Sequence, residues 1–178
     1  MKHVLIAGIG NILLGDDGVG PYVIRTLESR FSFPEGVTLE DLGTPALDFI
    51  DHIAGVDALI VVDSVENGLA AGSISLYRKD DLKQVRTSIR MDTHSPAITE
   101  SLLAAEVFFG VDPKEVLLVG VTRGSFAAGC SLSLPVQDAV EGAVQAVLAE
   151  LARLEVRHEV RSGAESGIWW SARQPQMM

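Results

Sequence analysis

Four residues of this chain have the types and the placement to carry acid-base or metal chemistry. Asp16 and Asp17 are adjacent carboxylates inside a glycine-punctuated loop, residues 8–20. Asp63 follows a continuously apolar run, and His94 stands directly before a predicted helix start. Carboxylate and imidazole are ligands that Zn²⁺, Ni²⁺ and related ions accept. If the fold gathers them, two carboxylates and the imidazole would form a three-ligand metal site with open coordination positions.

Each of these residues also has an ordinary structural interpretation. Asp16 could cap the following helix by accepting hydrogen bonds from its first free amides, and Asp17 could suit the dipole of that helix. Asp63 could simply end a strand, and His94 could be a solvent-facing loop residue. No single spacing decides between these interpretations. The metal-site hypothesis depends on whether the fold brings the residues to one place.

The hydrophobic pattern predicts strands that alternate with helices along the chain. The predicted strands cover residues 3–8, 37–41, 58–62, 73–77 and 115–121. Helices are predicted over residues 19–30, from Thr44-Pro45, from Ser95-Pro96 and over about 135–154. This alternation is typical of an α/β fold, here a three-layer α/β/α sandwich. We expect about five strands in a mostly parallel twisted sheet, with residues 73–77 as an antiparallel edge strand.

The predicted topology gives the candidate residues a common location. Binding sites of open parallel sheets form beyond the carboxyl ends of the strands, where the strand order reverses. If strands 3–8 and 58–62 are neighbours, the loop carrying Asp17 meets the loop that begins at Asp63. The loop ending at His94 enters its helix from the same edge. The sequence therefore predicts a site at this switch point.

Length and composition favour one folded domain. The chain has 178 residues, 47% of them hydrophobic and 21% charged, and we assign residues 1–156 to a single domain and 157–178 to a flexible tail. A formal net charge of −10 argues against a nucleic-acid binder, which needs a basic surface. The single cysteine, Cys130, and the absence of a signal-peptide pattern favour the cytoplasm. The sequence contains no run of about 20 apolar residues, so we expect no membrane span.

Two other classes of protein were weighed on the same residues. A dinucleotide-binding module is suggested by Gly8-Ile9-Gly10 after a strand and Asp41 at the end of the next. However, Leu13 stands where the third glycine of that fingerprint belongs, and the helix begins too late to receive a pyrophosphate. A metal-binding or partner-binding chaperone without catalytic activity could use the same ligands as an enzyme. That alternative stays open at this point.

Four motifs together resemble the hydrogenase maturation endopeptidases in content, order and spacing. They are Gly8-x-Gly10-Asn11-x-Leu13-x-x-Asp16-Asp17-Gly18-x-Gly20, Gly43-Thr44, Val61-Val62-Asp63 and His94. The resemblance runs from residue 1 to about residue 154, and the first motif is far more specific than a bare Gly-x-Gly. Such proteases remove a short C-terminal extension from the precursor of the [NiFe]-hydrogenase large subunit after nickel insertion. The resemblance therefore implies a processing peptidase, often grouped as aspartic-type, with that precursor as its partner.

The resemblance also implies roles for individual residues. The family's metal-binding positions fall on Asp17, Asp63 and His94, which would engage the nickel of the substrate precursor, with zinc or cadmium as substitutes in vitro. Asp17 and Asp63 would be catalytic, with Asp16 as a helper carboxylate, and one carboxylate would act as general base on water while the metal polarises the scissile carbonyl. The loop with Gly43-Thr44 would contact the substrate. We expect a monomer.

Overall fold

The computed structural model describes residues 2–45, 48–84, 98–129 and 131–162. Within these ranges the elements in chain order are β1 (Val4–Ile9), α1 (Val19–Arg30), β2 (Phe31–Ser32), β3 (Val37–Gly43), α2 (Phe49–Ile53), β4 (Ala58–Val65), β5 (Ile74–Arg78), α3 (Lys79–Gln84), α4 (Ile98–Ala104), β6 (Glu115–Thr122), α5 (Leu134–Arg153) and β7 (Glu159–Val160). A 3₁₀ turn, Gly15–Gly18, precedes α1, and a π-helical turn, Ala105–Phe109, follows α4. None of the helices in these ranges is both long and apolar enough to cross a membrane.

Five strands form one sheet in the order β3-β1-β4-β6-β5. The first four are parallel, and β5 pairs antiparallel with β6 at the edge, as predicted. β1 lies between β3 and β4, and its register with β4 runs from Val4 opposite Ala58 to Gly8 opposite Val62. The predicted neighbours are therefore confirmed, and the strand order reverses between β1 and β4.

Both faces of the sheet are covered by apolar side chains, which confirms the three-layer arrangement. Successive residues of a strand point to opposite faces, so Ile6 and Ile60 belong to one core, and Leu5 and Leu59 belong to the other. Helices α1 and α5 cover the first core with buried side chains that include Val23, Ile24, Leu27, Val144 and Val147. The second core is covered by residues that include Phe49 and Ile53 of α2, Leu82 of α3 and Ala105.

Helix α1 lies unusually close to the sheet at the switch point. A Cβ atom on Gly20 would stand 2.3 Å from the carbonyl oxygen of Ile9 and 2.5 Å from that of Val62. A Cβ on Gly8 would meet Ile24 Cγ1 at 2.6 Å. Only glycine allows this approach. It places the N-terminus of α1, and the 3₁₀ turn before it, directly over β1 and β4.

Several predicted boundaries differ from the structure. β4 continues through Asp63 to Val65 because β6 pairs with it up to Thr122, so Asp63 lies inside the strand and does not follow it. Helix α2 begins at Phe49 and not at Thr44-Pro45, and no helix was predicted where α3 lies. The predicted helix start at Ser95-Pro96 lies outside the described residues.

The first residues of the predicted flexible tail are ordered against the domain. β7 pairs antiparallel with β2, and the Arg161 amide donates to the carbonyl of Arg30 at 2.8 Å. The His158 ring meets the Phe31 ring edge-on, with centroids 5.3 Å apart. Residues 158–161 of the predicted tail therefore contact the domain, and the flexibility of the tail stays a prediction. Residues 163–178, including both tryptophans, lie outside the described ranges.

Candidate active site

Asp17 lies in the 3₁₀ turn above the switch point, with only 3% of its surface exposed. Its Oδ2 accepts a hydrogen bond from the backbone amide of Asn11 at 2.7 Å. Its Oδ1 accepts one from the Ser64 hydroxyl at 2.9 Å. Both oxygens are thus held by donors from the loop after β1 and from β4. This arrangement fixes the orientation of the carboxylate before any ligand binds.

Asp63 is the second buried carboxylate of this site, with 5% of its surface exposed. Its Oδ1 accepts a hydrogen bond from the backbone amide of Ser64 at 2.7 Å. Ser64 therefore contacts both acids, through its hydroxyl to Asp17 and through its amide to Asp63. These two contacts of Ser64 link the two predicted site residues. Buried carboxylates can bind a cation or take a proton from a bound water.

The third predicted ligand, His94, lies outside the described residues. Within the described ranges no group of three His, Cys, Asp or Glu side chains is placed to hold a metal ion. The carboxylates of Asp17 and Asp63 are the part of the predicted metal site that the structure describes. Their oxygen donors suit a divalent ion, and an added imidazole would suit zinc or nickel.

Asp16 points away from this pair and binds a different part of the chain. It is fully buried, and its Oδ2 accepts hydrogen bonds from the amides of Gly124 and Ser125 at 2.8 and 2.7 Å. The Ser133 hydroxyl also donates to Oδ2 at 2.9 Å, and the Ser133 amide donates to Oδ1 at 2.6 Å. Both oxygens are therefore occupied by the segment between β6 and α5. This geometry gives Asp16 a structural role and offers no support for the predicted helper role.

The predicted capping role of Asp16 is wrong. The residue before α1 is Gly18, and no side chain caps this helix. The loop of Asp16 is instead fastened to the segment after β6 by backbone bonds as well. The Gly15 amide donates to the Gly129 carbonyl at 2.9 Å, and the Gly129 amide donates to the Leu13 carbonyl at 2.9 Å. Two loops that are far apart in sequence thus form one unit beside the site.

An open cleft of about 450 Å³ is lined in part by Asn11, whose amide binds Asp17. It is lined by residues 10–12 from the loop after β1 and residues 41–44 at the end of β3. The Gly10 amide donates to the Gly43 carbonyl at 2.7 Å, which ties the two walls together. Gly43 has a φ of +57°, and a Cβ there would meet no atom of the described residues within 4 Å. The predicted substrate contacts Gly43 and Thr44 both line this cleft, and their role stays a prediction.

Sequence reasoning assigned no role to Asn11 or Ser64, the two residues that orient Asp17. Ser64 stands directly after Asp63 at a predicted strand end, where a hydroxyl beside a carboxylate could have drawn attention. The Asn11 contact comes from its backbone amide, so its side-chain type gives no signal. The partners of Asp16 lie more than 100 residues along the chain, and no local pattern indicates them.

Comparison with known proteins defines the class to which this fold and site belong. A family model described as hydrogenase maturation protease matches residues 21–150. The hydrogenase expression/formation protein HupM of Azotobacter chroococcum is 38% identical over 90% of this chain and 77% of its own length. The hydrogenase 2 maturation protease of Escherichia coli is 32% identical over 84% of this chain and 90% of its own length.

Solved structures agree with this assignment. The hydrogenase maturating endopeptidase HybD from E. coli superposes with a TM-score of 0.83, at 31% identity, over 91% of this chain and 99% of its own. The [NiFe] hydrogenase maturation protease HybD from Thermococcus kodakarensis, at 23% identity and a TM-score of 0.69, shares the fold over 85% of this chain and 99% of its own. The chain belongs to the hydrogenase maturation protease family and is a peptidase of hydrogenase maturation.

Proposed function

We propose that this peptidase removes the C-terminal extension from the precursor of a [NiFe]-hydrogenase large subunit after nickel has been inserted. The observation that carries the proposal is the pair of buried carboxylates, Asp17 and Asp63, linked through Ser64, with Asp17 also held by Asn11 of an open cleft. Such a pair is oriented before the substrate arrives. The cleft beside it is open enough to admit a polypeptide segment. Because the protein belongs to the hydrogenase maturation proteases, a hydrogenase precursor is the expected source of that segment.

The nickel that we assign to this site is part of the substrate. Asp17 and Asp63 would supply carboxylate oxygens to it, and His94, by resemblance to the family, would supply an imidazole nitrogen. This donor set suits nickel, and zinc or cadmium would substitute in vitro. A precursor without the metal would lack the group that these ligands recognise. The metal would thereby report that the substrate is ready to be cleaved.

The chemical step that we propose is hydrolysis of one peptide bond. One of the two carboxylates takes a proton from a water molecule as the water oxygen attacks the scissile carbonyl carbon. The carbon-nitrogen bond then breaks, and the proton passes to the leaving amine. The nickel of the substrate would polarise the carbonyl. The hydrogen bonds from Asn11 and Ser64 to Asp17 hold that carboxylate in place during the step.

Site substitutions test this assignment. Asp17→Asn, Asp63→Asn and His94→Ala should each lower the rate of precursor processing at least about a hundredfold, because each removes a ligand or a base. Asp138→Asn, an exposed acid on α5, is the matched control and should process at the wild-type rate. Processing rates are read from the shift of the precursor band on a gel. Wild-type processing by the Asp17 or His94 variant would overturn the assignment.

The alternative of a chaperone without catalytic activity predicts a different outcome in the same assay. It would bind the precursor stably and leave its mass unchanged. Family membership assigns the chain to the peptidases and so argues against the dinucleotide-binding alternative. We also propose that the protein works as a monomer in the cytoplasm, where a free cysteine stays reduced.

A further inference from the structure

Strand β3 forms one edge of the sheet, and within the described residues β1 is its only pairing partner. It is seven residues long and runs parallel to β1. An edge strand presents unpaired backbone N–H and C=O groups, with which an extended peptide can form a further strand. Among the residues that the structure describes, β3 is therefore available as a template for an added strand.

One hydrogen bond indicates which backbone groups of β3 point outward. The Val4 amide donates to the Gly36 carbonyl at 2.8 Å, next to the first pair of the ladder. Alternate residues of a parallel strand face its partner, so the even-numbered residues of β3 direct their backbone groups toward β1 up to the register shift that follows Asp41. The backbone groups of Leu39 and Asp41 then point away from β1. They are the groups that a further strand would pair with.

The free edge of β3 leads directly into the candidate active site. Its last residues line the cleft, and the Gly43 carbonyl is tied to the Gly10 amide on the opposite wall. Asn11, on that wall, donates its amide to Asp17 Oδ2 at 2.7 Å. A chain that pairs with β3 and continues past Gly43 therefore arrives beside the buried carboxylates. The open space beside Gly43 leaves room for it.

We propose that β3 binds the C-terminal extension of the precursor as an added antiparallel strand. This inference rests on the proposed function, because that function places the nickel-bearing part of the substrate at Asp17 and Asp63. Those residues lie beyond the carboxyl end of β3, and the extension begins after the scissile bond. It must therefore lead away from the site, from Gly43 toward Val37, against the direction of β3. Pairing over the strand would use up to about seven residues of substrate.

Hydrogen exchange measured by mass spectrometry tests this inference. The Asp17→Asn variant keeps Asp63, His94 and the amide oxygen of the introduced asparagine for the nickel, so it should bind a saturating excess of nickel-loaded precursor without cleaving it. Exchange in this complex is compared with that of the free variant. The amides of Leu39 and Asp41, read in peptides that cover residues 37–43, should exchange at least about tenfold more slowly in the complex, because the other amides of this strand already have hydrogen-bond partners. The other edge strand, β5, is an internal control, and residues 74–78 should be unchanged. A complex with no added protection at 37–43, or with equal protection at both edges, would overturn the inference.

A pair of substitutions at one position gives a second test. Asp41→Pro removes the outward amide of β3, whereas Asp41→Ala removes only the carboxylate. The proline variant should show a KM for the precursor about five to ten times that of the alanine variant, with an unchanged melting temperature. Equal KM values in two folded variants would overturn the inference. If wild-type protein cleaves the precursor in that case, the proposed function stands, whereas failure of wild type to cleave would contradict the proposed function itself.

Discussion

Ser64 contacts both site carboxylates through different atoms. Its hydroxyl donates to Asp17 Oδ1 and its amide donates to Asp63 Oδ1. Substitution by alanine removes only the first bond, and among the described residues the Asn11 amide then still holds Asp17. We expect Ser64→Ala to lower kcat on the precursor about tenfold, because the carboxylate loses its fixed orientation. The melting temperature should fall by only a few degrees, as expected for the loss of one hydrogen bond.

Ser75→Ala is a suitable control for that measurement. Ser75 lies on the far edge strand, where its hydroxyl accepts a hydrogen bond from Asn67 Nδ2 at 3.1 Å. This control should process the precursor at the wild-type rate. A wild-type rate in Ser64→Ala as well would show that Asp17 needs no orienting hydroxyl.

Asp16 contributes to stability through four hydrogen bonds that reach across the fold. In Asp16→Asn one oxygen becomes an amide nitrogen, which faces N–H or O–H donors and leaves them unpaired in the interior. We expect a loss of about 2–4 kcal/mol and a fall in melting temperature of roughly 5–15 °C. Urea unfolding and differential scanning calorimetry measure both. An Asp16→Asn protein of wild-type stability that no longer processes the precursor would instead favour the helper role.

Two helical glycines, Gly20 and Gly142, face very different neighbours. Their alanine variants can therefore be compared directly as a test of how closely each helix packs on the sheet. A Cβ at Gly20 of α1 would press on the backbone oxygens of Ile9 and Val62, which cannot move without shifting strands. A Cβ at Gly142 of α5 would meet only the end of the Ile74 side chain, at 2.7 Å. We expect Gly20→Ala to cost about 2–4 kcal/mol of unfolding free energy, and Gly142→Ala to change it by less than about 1 kcal/mol. Equal effects would contradict the close approach of α1.

A charge network connects β5 and α5 and makes stability depend on pH. Burial raises the pKa of Glu150, but hydrogen bonds from Arg78 and Arg153 outweigh burial and lower it from its ordinary 4.5 to about 2. A lowered folded-state pKa stabilises the fold fully above about pH 4.5, and the contribution is lost as the pH falls toward 2. The Glu150→Gln variant should therefore lose less unfolding free energy than wild type when the pH is lowered.

The size of that effect is measurable by urea unfolding at pH 7 and pH 3. At pH 7 the Glu150→Gln variant should be less stable than wild type by roughly 2–3 kcal/mol, and the difference should narrow at pH 3. Glu28→Gln, which removes an exposed ion pair with Arg25, should differ by less than about 0.5 kcal/mol at both values. A Glu150 difference that is constant with pH would contradict the lowered pKa.

Periodicity predicted the elements well wherever burial alone decides them. The limits of α1 agree with the prediction, and β4 was identified by its continuous apolar run. The end of β4 was misplaced at Asp63, because pairing with β6 keeps a polar residue inside the strand. The start of α2 was misplaced because Thr44-Pro45 is a helix-start signal that tertiary structure overrides. Boundaries set by distant partners leave no trace in the local pattern.

At the scale of the whole molecule, the order of the strands accounts for what the sequence could predict of the site. Asp17 and Asp63 meet because β1 and β4 are neighbours at the point where the strand order reverses. The alternation of strands and helices was enough to expect this meeting. The separate function of Asp16 could not be expected, because it depends on a loop that follows β6. Two adjacent aspartates thus have opposite orientations, one toward the crevice and one into the body of the fold.

The protein should cleave the large-subunit precursor only when the precursor carries nickel, and intact-mass analysis of that precursor tests this most directly. Nickel-loaded and nickel-free precursor are each incubated with the wild-type protein, with the Asp17→Asn variant as the negative control. We predict that only the nickel-loaded sample incubated with wild type loses the mass of a C-terminal peptide. Loss of the same peptide from the nickel-free precursor would contradict recognition of the metal. A stable complex without any mass loss would contradict the peptidase mechanism.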